Sequence, residues 1–524
     1  MRRALGFVVG GFCGLLSVAL AIGAHADAPA PSHADIEAYD IDGNTLLDEE
    51  AVEEAVYPFL GPDRTPADVE AARASLEKSY HEHGYQSVVV DIPRQVVTNN
   101  IVRLQVIETP VGRLRVVGAR YFSPSEIKRE TPSLEEGKVP NFTQTQADVA
   151  DLNRLPDRQV TPIFKPGAAP GTVDVDLNVK DTLPLHASVE VNNDHAVNTT
   201  DLRLSGTIRY GNLWQLGHSA SFTYQVAPEN TNDSEVFAGS YMAPLWGSPW
   251  SLLAFGYDSN SDVSSIGGTT VLGRGYDIGL RAVSQLPAFR DLSQSFTAGF
   301  DFKHFNENVD VAGVETPVVI QYWPLTAAYT IEQAKPTREV KATLAVTAGL
   351  RGVGSNTATF ENNRAFARPN FVHANLDVDF RQTIWAHAQI DARFSGQIAD
   401  QPLVTTEQIA AGGLTSVRGY YQAEEVGDDG MVGSFEVRSP PIGKLSPWLD
   451  DWRIYAFVDA AHLWVLDPLA DQADQFSLLS TGLGTRFDFY RHLHSDVGVA
   501  WPLTRGASPT PRSAQAMFDV KTEF

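Results

Sequence analysis

From about residue 184 to the C-terminus, apolar and polar residues alternate with a regularity that few folds can accommodate. The alternation divides this part of the chain into about sixteen segments of about ten residues, the length of a tilted strand that crosses a membrane. A period of two predicts β-strands with one apolar and one polar face. The clearest segments are residues 202–210, 219–226, 296–303, 372–381 and 518–524.

Two architectures fit such strands: a soluble sandwich with its apolar faces inward, and a membrane barrel with its apolar faces outward. The polar faces carry full charges of both signs, which suits a water-filled lumen. Aromatic residues recur near strand ends, as in the girdles of membrane barrels: Trp246, Trp250, Tyr322 and Trp323. We therefore predict an all-β transmembrane barrel of about 16 antiparallel strands over residues 183–524.

The N-terminus predicts export from the cytoplasm. Residues 1–26 have the pattern of a signal peptide, with Arg2 and Arg3, an apolar core, and Ala24-His25-Ala26 as the cleavage site; a membrane anchor is the alternative. No later run of 18 apolar residues predicts a spanning helix. We therefore expect the barrel in the outer membrane of a diderm (Gram-negative) bacterium. The single cysteine, Cys13, lies in the signal peptide, so we expect no disulfide in the mature chain.

A short stretch at residues 27–35 precedes two small α/β units, which we place at residues 36–109 and 110–182. Each has the order strand, helix, helix, strand, strand. The first unit is predicted to contain strand 36–41, helix 47–59, a helix between Thr65 and Gly84 with Val69, Ala72, Leu76 and Tyr80 on its apolar face, and strands 87–92 and 101–107. The second is predicted to contain strand 112–117, a helix beginning with the capping box at residues 123–126, helix 144–155, and strands 159–164 and 173–179.

One long connection between predicted barrel strands, at about residues 399–430, contains Val417-Arg418-Gly419-Tyr420. An arginine on a tight turn can extend away from its own backbone and bind a carboxylate elsewhere. We predict that this connection folds back into the barrel. An ordinary exposed loop is the alternative for these four residues.

Two units of this kind before a barrel of about sixteen strands resemble a pair of POTRA domains. Together with V-R-G-Y in a late loop and a terminal phenylalanine, Phe524, the chain resembles the two-partner secretion transporters of the FhaC/ShlB type. These belong to the same superfamily as the BamA and TamA assembly factors. Further short stretches that carry the resemblance are Gly84-Tyr85, residues 118–122, Pro140-Asn141-Phe142, Leu152-Asn153, Asn192-Asn193 and Thr199-Thr200.

The resemblance implies a partner for Arg418. In that family the loop arginine lies inside the barrel against an acid in a motif F-x-D-x-G, and the matching stretch here is residues 457–461. Asp459 fits the motif, but Ala461 replaces the glycine, which puts the close packing there in doubt. Alternation places Asp459 and Glu436 on lumen faces, so the two carboxylates can receive Arg418. Pairing of Asp459 with another lumen arginine is the alternative.

The resemblance also implies a function. Its client would be a secreted exoprotein with an N-terminal secretion domain, which binds the POTRA pair and crosses the lumen unfolded without nucleotide hydrolysis. The loop with Arg418 would act as a gate or positioning device. Outer-membrane lipid would surround the barrel, and the barrel-assembly machinery would insert it, with Phe524 as the C-terminal aromatic residue. We expect no plug helix before the first unit, so the loop must close the resting pore, or the pore leaks.

Two other functions remain open at this point. An assembly factor of the BamA/TamA kind would insert other barrels, and two POTRA-like units favour the secretion type over it. A passive porin would need neither the periplasmic units nor the V-R-G-Y loop.

Composition and motifs argue against other classes. The net charge of −24 argues against a nucleic-acid partner. We find no nucleotide-binding or hydrolase motif, and we expect no catalytic residue, cofactor or metal. Three weak metal patterns have simpler explanations: His81 with His83, and His492 with His494, as solvated histidines, and residues 40–44 as an ordinary turn rather than a calcium loop.

Overall fold

The computed structural model describes residues 33–524, except for 246, 262, 267–268, 312–313, 443–447, 471 and 507–512. The predicted signal peptide, most of the stretch at 27–35, and Trp246 lie outside the described residues. The chain divides into two compact units. One comprises the described residues up to Val117 with 128–152 and 160–178, and the other comprises 118–127, 153–159 and 179–524.

The two predicted α/β units, at residues 36–109 and 110–182, have the same sheet topology. In the first, the last strand, β5 (Ile101–Ile107), is central; it lies parallel to the opening strand β2 (Ala38–Asp42) and antiparallel to β4 (Val89–Asp91). In the second, the last strand, β8 (Val173–Asp181), lies between β6 (Val111–Val117) and β7 (Arg158–Pro166) and is again parallel to the opening strand, β6. The elements are β1 Ala34–Ile36, β2 Ala38–Asp42, α1 Glu49–Val56, β3 Gly61–Arg64, α2 Pro66–Glu82, β4 Val89–Asp91, β5 Ile101–Ile107, β6 Val111–Val117, α3 Pro124–Arg129, α4 Phe142–Leu152, β7 Arg158–Pro166 and β8 Val173–Asp181.

Helix α2 shows why the first unit folds as predicted. Thr65 and Asp68 form a capping box at its N-terminus, and Gly84 follows its end with a φ of +93°, a conformation that favours glycine. Its apolar face is buried at Ala72, Leu76 and Tyr80. The predicted first strand was wrong in one respect. The strand predicted at 36–41 is interrupted at Glu37: Ile36 belongs to β1, which pairs with β3, and the residues from Ala38 onward form β2, which pairs with β5.

Sixteen of the remaining described strands form a closed antiparallel barrel, which confirms the predicted fold class. The barrel strands are β9 Leu185–Asn192, β10 Arg203–Leu213, β11 His218–Val226, β12 Glu235–Pro244, β13 Trp250–Ser259, β16 Arg274–Phe289, β17 Leu292–Val311, β18 Val314–Lys335, β19 Arg338–Gly354, β20 Val372–Thr383, β21 Gln389–Ala399, β24 Asp429–Arg438, β25 Leu449–Trp464, β26 Gln475–Phe489, β27 Leu493–Pro502 and β28 Gln515–Glu523. The small hairpins β14–β15 (Val263–Ile266 and Thr269–Leu272) and β22–β23 (Ile409–Ala411 and Glu425–Gly427) lie in connections. Strand β28 pairs with β9 and closes the barrel.

Side-chain exposure identifies the outward face. Phe300 is 41% exposed and its neighbour Asp301 only 4%; Val458 is 49% exposed and Asp459 0%. A soluble sandwich would bury the apolar member of each pair, so these strands turn their apolar side toward lipid. No helix in the described part of the chain is long and apolar enough to cross a membrane.

Connections at the two ends of the barrel differ in length. At one end they are short, as at 290–291, 336–337 and 490–492, and at the other they include residues 355–371 with α5 (Thr357–Asn363), and the connection between β21 and β24. Strands β17 and β18 have 20 and 22 residues. About ten residues suffice to cross the membrane, so this hairpin continues beyond it at the long-loop end.

The connection between β21 and β24, residues 400–428, is called the inner loop below. Among its residues 401–428, only Thr415 is exposed. An external loop of this length would expose most of its side chains. The prediction that this connection folds back into the barrel therefore agrees with its burial.

Candidate functional site

The tip of the inner loop, residues 414–421, is a tight turn held by two glycines. The hairpin β22–β23 joins the two sides of the loop just before and after the tip. Gly412 and Gly413 follow β22 with φ of +117° and +99°. A Cβ at Gly412 would lie 2.2 Å from the carbonyl oxygen of Tyr421, so no larger residue fits there. The backbone N–H of Gly413 donates to the Tyr420 carbonyl at 3.2 Å, which closes the turn.

Arg418 at this tip binds both predicted carboxylates. Its Nε and Nη2 donate to the two oxygens of Asp459 at 2.7 and 2.9 Å, and its Nη1 donates to Glu436 at 2.7 Å. Its backbone N–H also donates to Asp459, at 3.1 Å. The three side chains are 0–4% exposed. Arg418, Asp459 and Glu436 are called the Arg418 site below.

Aromatic and charge contacts complete the Arg418 site. The guanidinium carbon lies 3.5 Å from the centre of the Phe457 ring, a cation–π contact. Burial would lower the pKa of Arg418, but Asp459 and Glu436 raise it above its ordinary value. Arg418 is therefore a permanent cation held between two carboxylates.

The two carboxylates differ in their other partners. Glu436 also binds Arg438 at 2.7 Å and Arg486 at 2.8 Å. Asp459 has one ion pair in the described part of the chain, and that pair is with Arg418. Withdrawal of Arg418 would thus leave Asp459, and not Glu436, as an unpaired buried charge.

The other residues of V-R-G-Y each have a distinct contact. Val417 lies in a buried apolar cluster that also contains Ala461, so the methyl group that replaces the expected glycine packs there without disruption. Gly419 has a φ of +92°, and a Cβ on it would lie 2.8 Å from that of Ala500. The Tyr420 hydroxyl donates to the carbonyl oxygen of Leu479 at 2.9 Å, which fixes the tip on β26.

A second buried cluster, which the sequence analysis did not identify, binds the inner loop nearer to its start. Glu407 accepts hydrogen bonds from Lys303 and Tyr322 at 2.6 Å each and contacts His373 at 3.1 Å. These four residues are called the Glu407 site. Burial would raise the pKa of Glu407, but Lys303 and His373 lower it to about 2. Lys303 and His373 lie on strands whose polar faces the alternation predicts. Glu407 lies in a connection without such a repeat, so the sequence pattern does not indicate that it is their partner.

Two further aspartates attach the inner loop to other connections. Asp428 is fully buried and accepts from the backbone N–H groups of Leu403 and Leu466, both at 2.8 Å, and from Arg364 at 3.4 Å. Asp194, between β9 and β10, accepts from the Leu414 N–H at 3.0 Å. Burial raises the pKa of Asp194 to about 6.

Phe524 lies at the closing pair of strands. Its N–H donates to the Ala187 carbonyl at 2.8 Å, and the Ala187 N–H donates back at 3.1 Å, so the last residue extends the pairing of β28 with β9. Its side chain is 70% exposed, as expected for a residue that faces lipid.

The weak metal patterns do not converge in the structure. His81 and His83 contact different backbone carbonyls, those of Val88 and Ser79. The side chain of Asn44 accepts from the Leu47 N–H, which fits an ordinary turn. Among the described residues, no group of three His, Cys, Asp or Glu side chains is arranged to hold a metal ion.

Comparison with known proteins identifies the family. The model of the haemolysin secretion/activation proteins ShlB/FhaC/HecB matches residues 171–487, more than half of the chain, and the model of the ShlB-type POTRA domain matches residues 34–109. The chain belongs to the ShlB/FhaC/HecB family. It is accordingly an outer-membrane transporter of two-partner secretion, with its POTRA region in the periplasm and a secreted exoprotein as its partner.

Individual relatives are distant in sequence but match most of the chain. The outer membrane transporter CdiB of Dickeya dadantii is 21% identical over 468 residues, which span 85% of this chain and 78% of that protein. The structure of CdiB from Escherichia coli superposes with a TM-score of 0.65 at 17% identity, covering 96% of this chain and 92% of the other. BamA from Haemophilus ducreyi, lacking POTRA domains 1–3, gives a TM-score of 0.56 at 14% identity, covering 94% and 100%. These structures share the fold.

Proposed function

We propose that the transporter recognises its partner exoprotein in an unfolded state through the POTRA region and passes it through the barrel lumen to the cell surface without nucleotide hydrolysis. The inner loop acts as the gate, and the Arg418 site holds it in its resting position. The observation that carries this proposal is the burial of Arg418 between Asp459 and Glu436 at the end of a loop that folds back into the barrel.

The energetics of the Arg418 site suit a positioning role. A buried ion pair contributes little net stability, because desolvation of the charges offsets their attraction. Removal of one partner nevertheless costs about 3–5 kcal/mol, because the other charge stays buried and unpaired. Such a pair selects one loop position strongly without making the barrel as a whole much more stable.

The POTRA region offers a place for an extended client segment at strand β4. This strand lies at a sheet edge, and Val89, on β4, is 51% exposed. The N–H and carbonyl of Val90 are bound by side chains of α2, Glu77 and Arg73, both at 3.1 Å. An incoming strand would replace these two contacts with backbone hydrogen bonds, which demand little of the client's sequence.

No energy source other than the client itself is required in this proposal. The sequence has no nucleotide-binding loop, and folding of the client outside the cell would bias its movement outward. We further propose that outer-membrane lipid contacts the apolar belt of the barrel and that the barrel-assembly machinery recognises the C-terminal strand with Phe524 during biogenesis.

The deciding experiment compares the proteins of the culture medium and of the outer membrane in three strains: intact, Arg418→Ala and gene deletion. We expect one or two large secreted proteins to disappear from the medium of the deletion strain and to fall strongly with Arg418→Ala. A general fall in many outer-membrane barrels would instead indicate an assembly factor. Unchanged protein sets would indicate a passive pore.

Strand addition at β4 has its own test, which uses the purified full-length transporter and the secretion domain of the client that the comparison of strains would identify. We expect the double variant Arg73→Ala/Glu77→Ala to bind that domain more tightly, because the Val90 groups are then free. The control is Lys78→Ala/Glu82→Ala, which removes an exposed ion pair from the same helix. Weaker binding by the first variant alone would contradict strand addition at this edge.

A further inference from the structure

The inner loop is bound to the barrel wall at two separate places. The Glu407 site uses β17, β18 and β20, whereas the Arg418 site uses β24 and β25. In the order of strands around the barrel, β25 is six places from β17. The loop therefore reaches from one part of the wall to another.

The Glu407 site has the burial and geometry of a fixed attachment. Glu407 is 4% exposed, Lys303 14% and His373 7%. The backbone carbonyl of Glu407 also accepts from the Gln397 side chain at 3.0 Å, so both the carboxylate and the main chain are held. Leu403 and Val404, just before it, are buried in an apolar cluster.

Two glycines lie between the attachments. Gly412 and Gly413 have backbone conformations that only glycine adopts without strain, and they separate Glu407 from Arg418. They are the residues of the loop best able to absorb a change in φ and ψ. A movement of the tip can therefore leave residues 400–411, here called the inward limb, in place.

We propose that Glu407, with Lys303, is a second positioning residue that fixes the inward limb to the wall independently of Arg418, so that gating displaces only the tip beyond Gly412 and Gly413. This rests on the gating role proposed above for the loop. The limb then serves as the stationary base from which the tip swings.

Lys303 has an alternative partner in the wall, which makes the proposal testable without loss of the barrel. Asp277 lies directly opposite Lys303 on β16. It is 5% exposed, and its Oδ1 has no hydrogen-bond partner among the described residues. Directly opposed residues on antiparallel strands are within side-chain reach. In the variant Glu407→Gln, Lys303 can turn to Asp277. The barrel wall then still contains a paired lysine, whereas the inward limb has lost its ion pair with the wall.

The test measures thiol accessibility in intact cells. The only natural cysteine, Cys13, precedes the predicted cleavage site, so introduced cysteines are the sole thiols of the mature chain. Val404→Cys reports on the limb and Val417→Cys on the tip; the two valines are 1% and 0% exposed. Labelling with a membrane-impermeant maleimide from outside measures how often each segment opens.

We expect Glu407→Gln to raise labelling at position 404 by about tenfold or more and to change labelling at 417 much less. Arg418→Ala is expected to do the reverse. The exchanged pair Lys303→Glu/Glu407→Lys, made together with Asp277→Asn so that no second acid faces position 303, should restore protection at 404, because it regenerates an ion pair between the same positions. Equal effects of Glu407→Gln at both positions, or none at 404, would overturn the proposal.

The matched control is Asp301→Asn. Asp301 lies on the same strand as Lys303, and the variant disrupts its buried pair with Arg281. Among the described residues, neither side chain has a hydrogen bond or ion pair with the inner loop. We expect no change in labelling at either position, with folding of every variant verified by its heat-modifiable migration in gels. Labelling does not depend on secretion. If labelling follows the expected pattern while secretion is unaffected by both loop variants, the attachment stands and the gating role fails.

Discussion

Two buried arginine–aspartate pairs in this barrel have nearly the same chemistry and different consequences. Arg281 and Asp301 make two hydrogen bonds of 2.6 and 2.7 Å between neighbouring strands. Arg418 and Asp459 make two of 2.7 and 2.9 Å between the inner loop and a strand. The first pair joins segments that the sheet already holds together. The second joins a loop and a strand that share no ladder of backbone hydrogen bonds. Only the second pair can therefore determine the position of the loop.

The largest effect on loop position is expected from Asp459→Ala. It removes the bidentate partner of Arg418 and the acceptor of its backbone N–H, and it leaves the guanidinium with Glu436 and the Ser434 hydroxyl. The expected cost to the docked loop is about 3–5 kcal/mol. Exoprotein in the medium should fall strongly, and a thiol at position 417 should become accessible. Full secretion together with full protection would show that the pair does not hold the tip.

A pH effect of nearly this size is expected from Asp194, which binds the tip through Leu414. Its folded pKa of about 6 exceeds the ordinary 3.8, so the folded state binds the proton more tightly. Its contribution to stability is therefore fully present below about pH 4 and is lost as the pH rises through about 6. This difference between the folded and the ordinary pKa of Asp194 corresponds to about 3 kcal/mol in the free energy of unfolding.

The measurement is the midpoint of thermal unfolding of the purified transporter between pH 4 and pH 7. We expect Asp194→Asn to flatten this profile relative to the unmodified chain, because the amide does not titrate. Identical profiles for both proteins would assign the pH dependence to other groups.

A smaller effect is expected from Glu436→Gln, because each arginine that binds Glu436 keeps a second carboxylate partner. The remaining pairs are Arg418 with Asp459, Arg438 with Asp391, and Arg486 with Asp496. Loss of the Glu436 charge should cost about 1–3 kcal/mol. Secretion should fall less than with Asp459→Ala, and the reverse order would make Glu436 the principal partner.

The smallest effect on the loop is expected from Asp301→Asn. Arg281 then loses its partner within the wall, so the barrel should unfold at a lower temperature, whereas secretion and the accessibility of position 417 should stay unchanged. A loss of secretion without a loss of heat stability would mean that pairs within the wall control the loop as well as the Arg418 site does.

The sequence predicts much of the Arg418 site because β-strands are periodic. Alternation alone puts Asp459 and Glu436 on lumen faces, since each neighbours outward apolar residues. The family resemblance supplied the connection to Arg418, which lies 41 residues from Asp459 and could not be paired with it by spacing.

The Glu407 site could not be predicted from the sequence, because one of its residues lies in a loop and not on a periodic strand. Lys303 and Glu407 are 104 residues apart, and the conformation of the loop that brings them together follows no repeat. The break at Glu37 has a similar origin, because the residues before it pair with β3 and those after it pair with β5, and local pattern does not indicate either partner. Local pattern indicates that a residue is in a strand and which face it occupies, but the partner is decided by the tertiary fold.

The unequal strand lengths of the barrel also bear on what reaches the protein from outside the cell. A strand of 20 residues extends about 65 Å along its axis, or about 45 Å across the membrane when tilted, against an apolar band about 25 Å tall. The β17–β18 hairpin therefore stands well clear of the lipid surface. Large molecules approaching the cell from outside would meet this hairpin ahead of the pore itself, so we expect its sequence to tolerate change better than that of the buried inner loop.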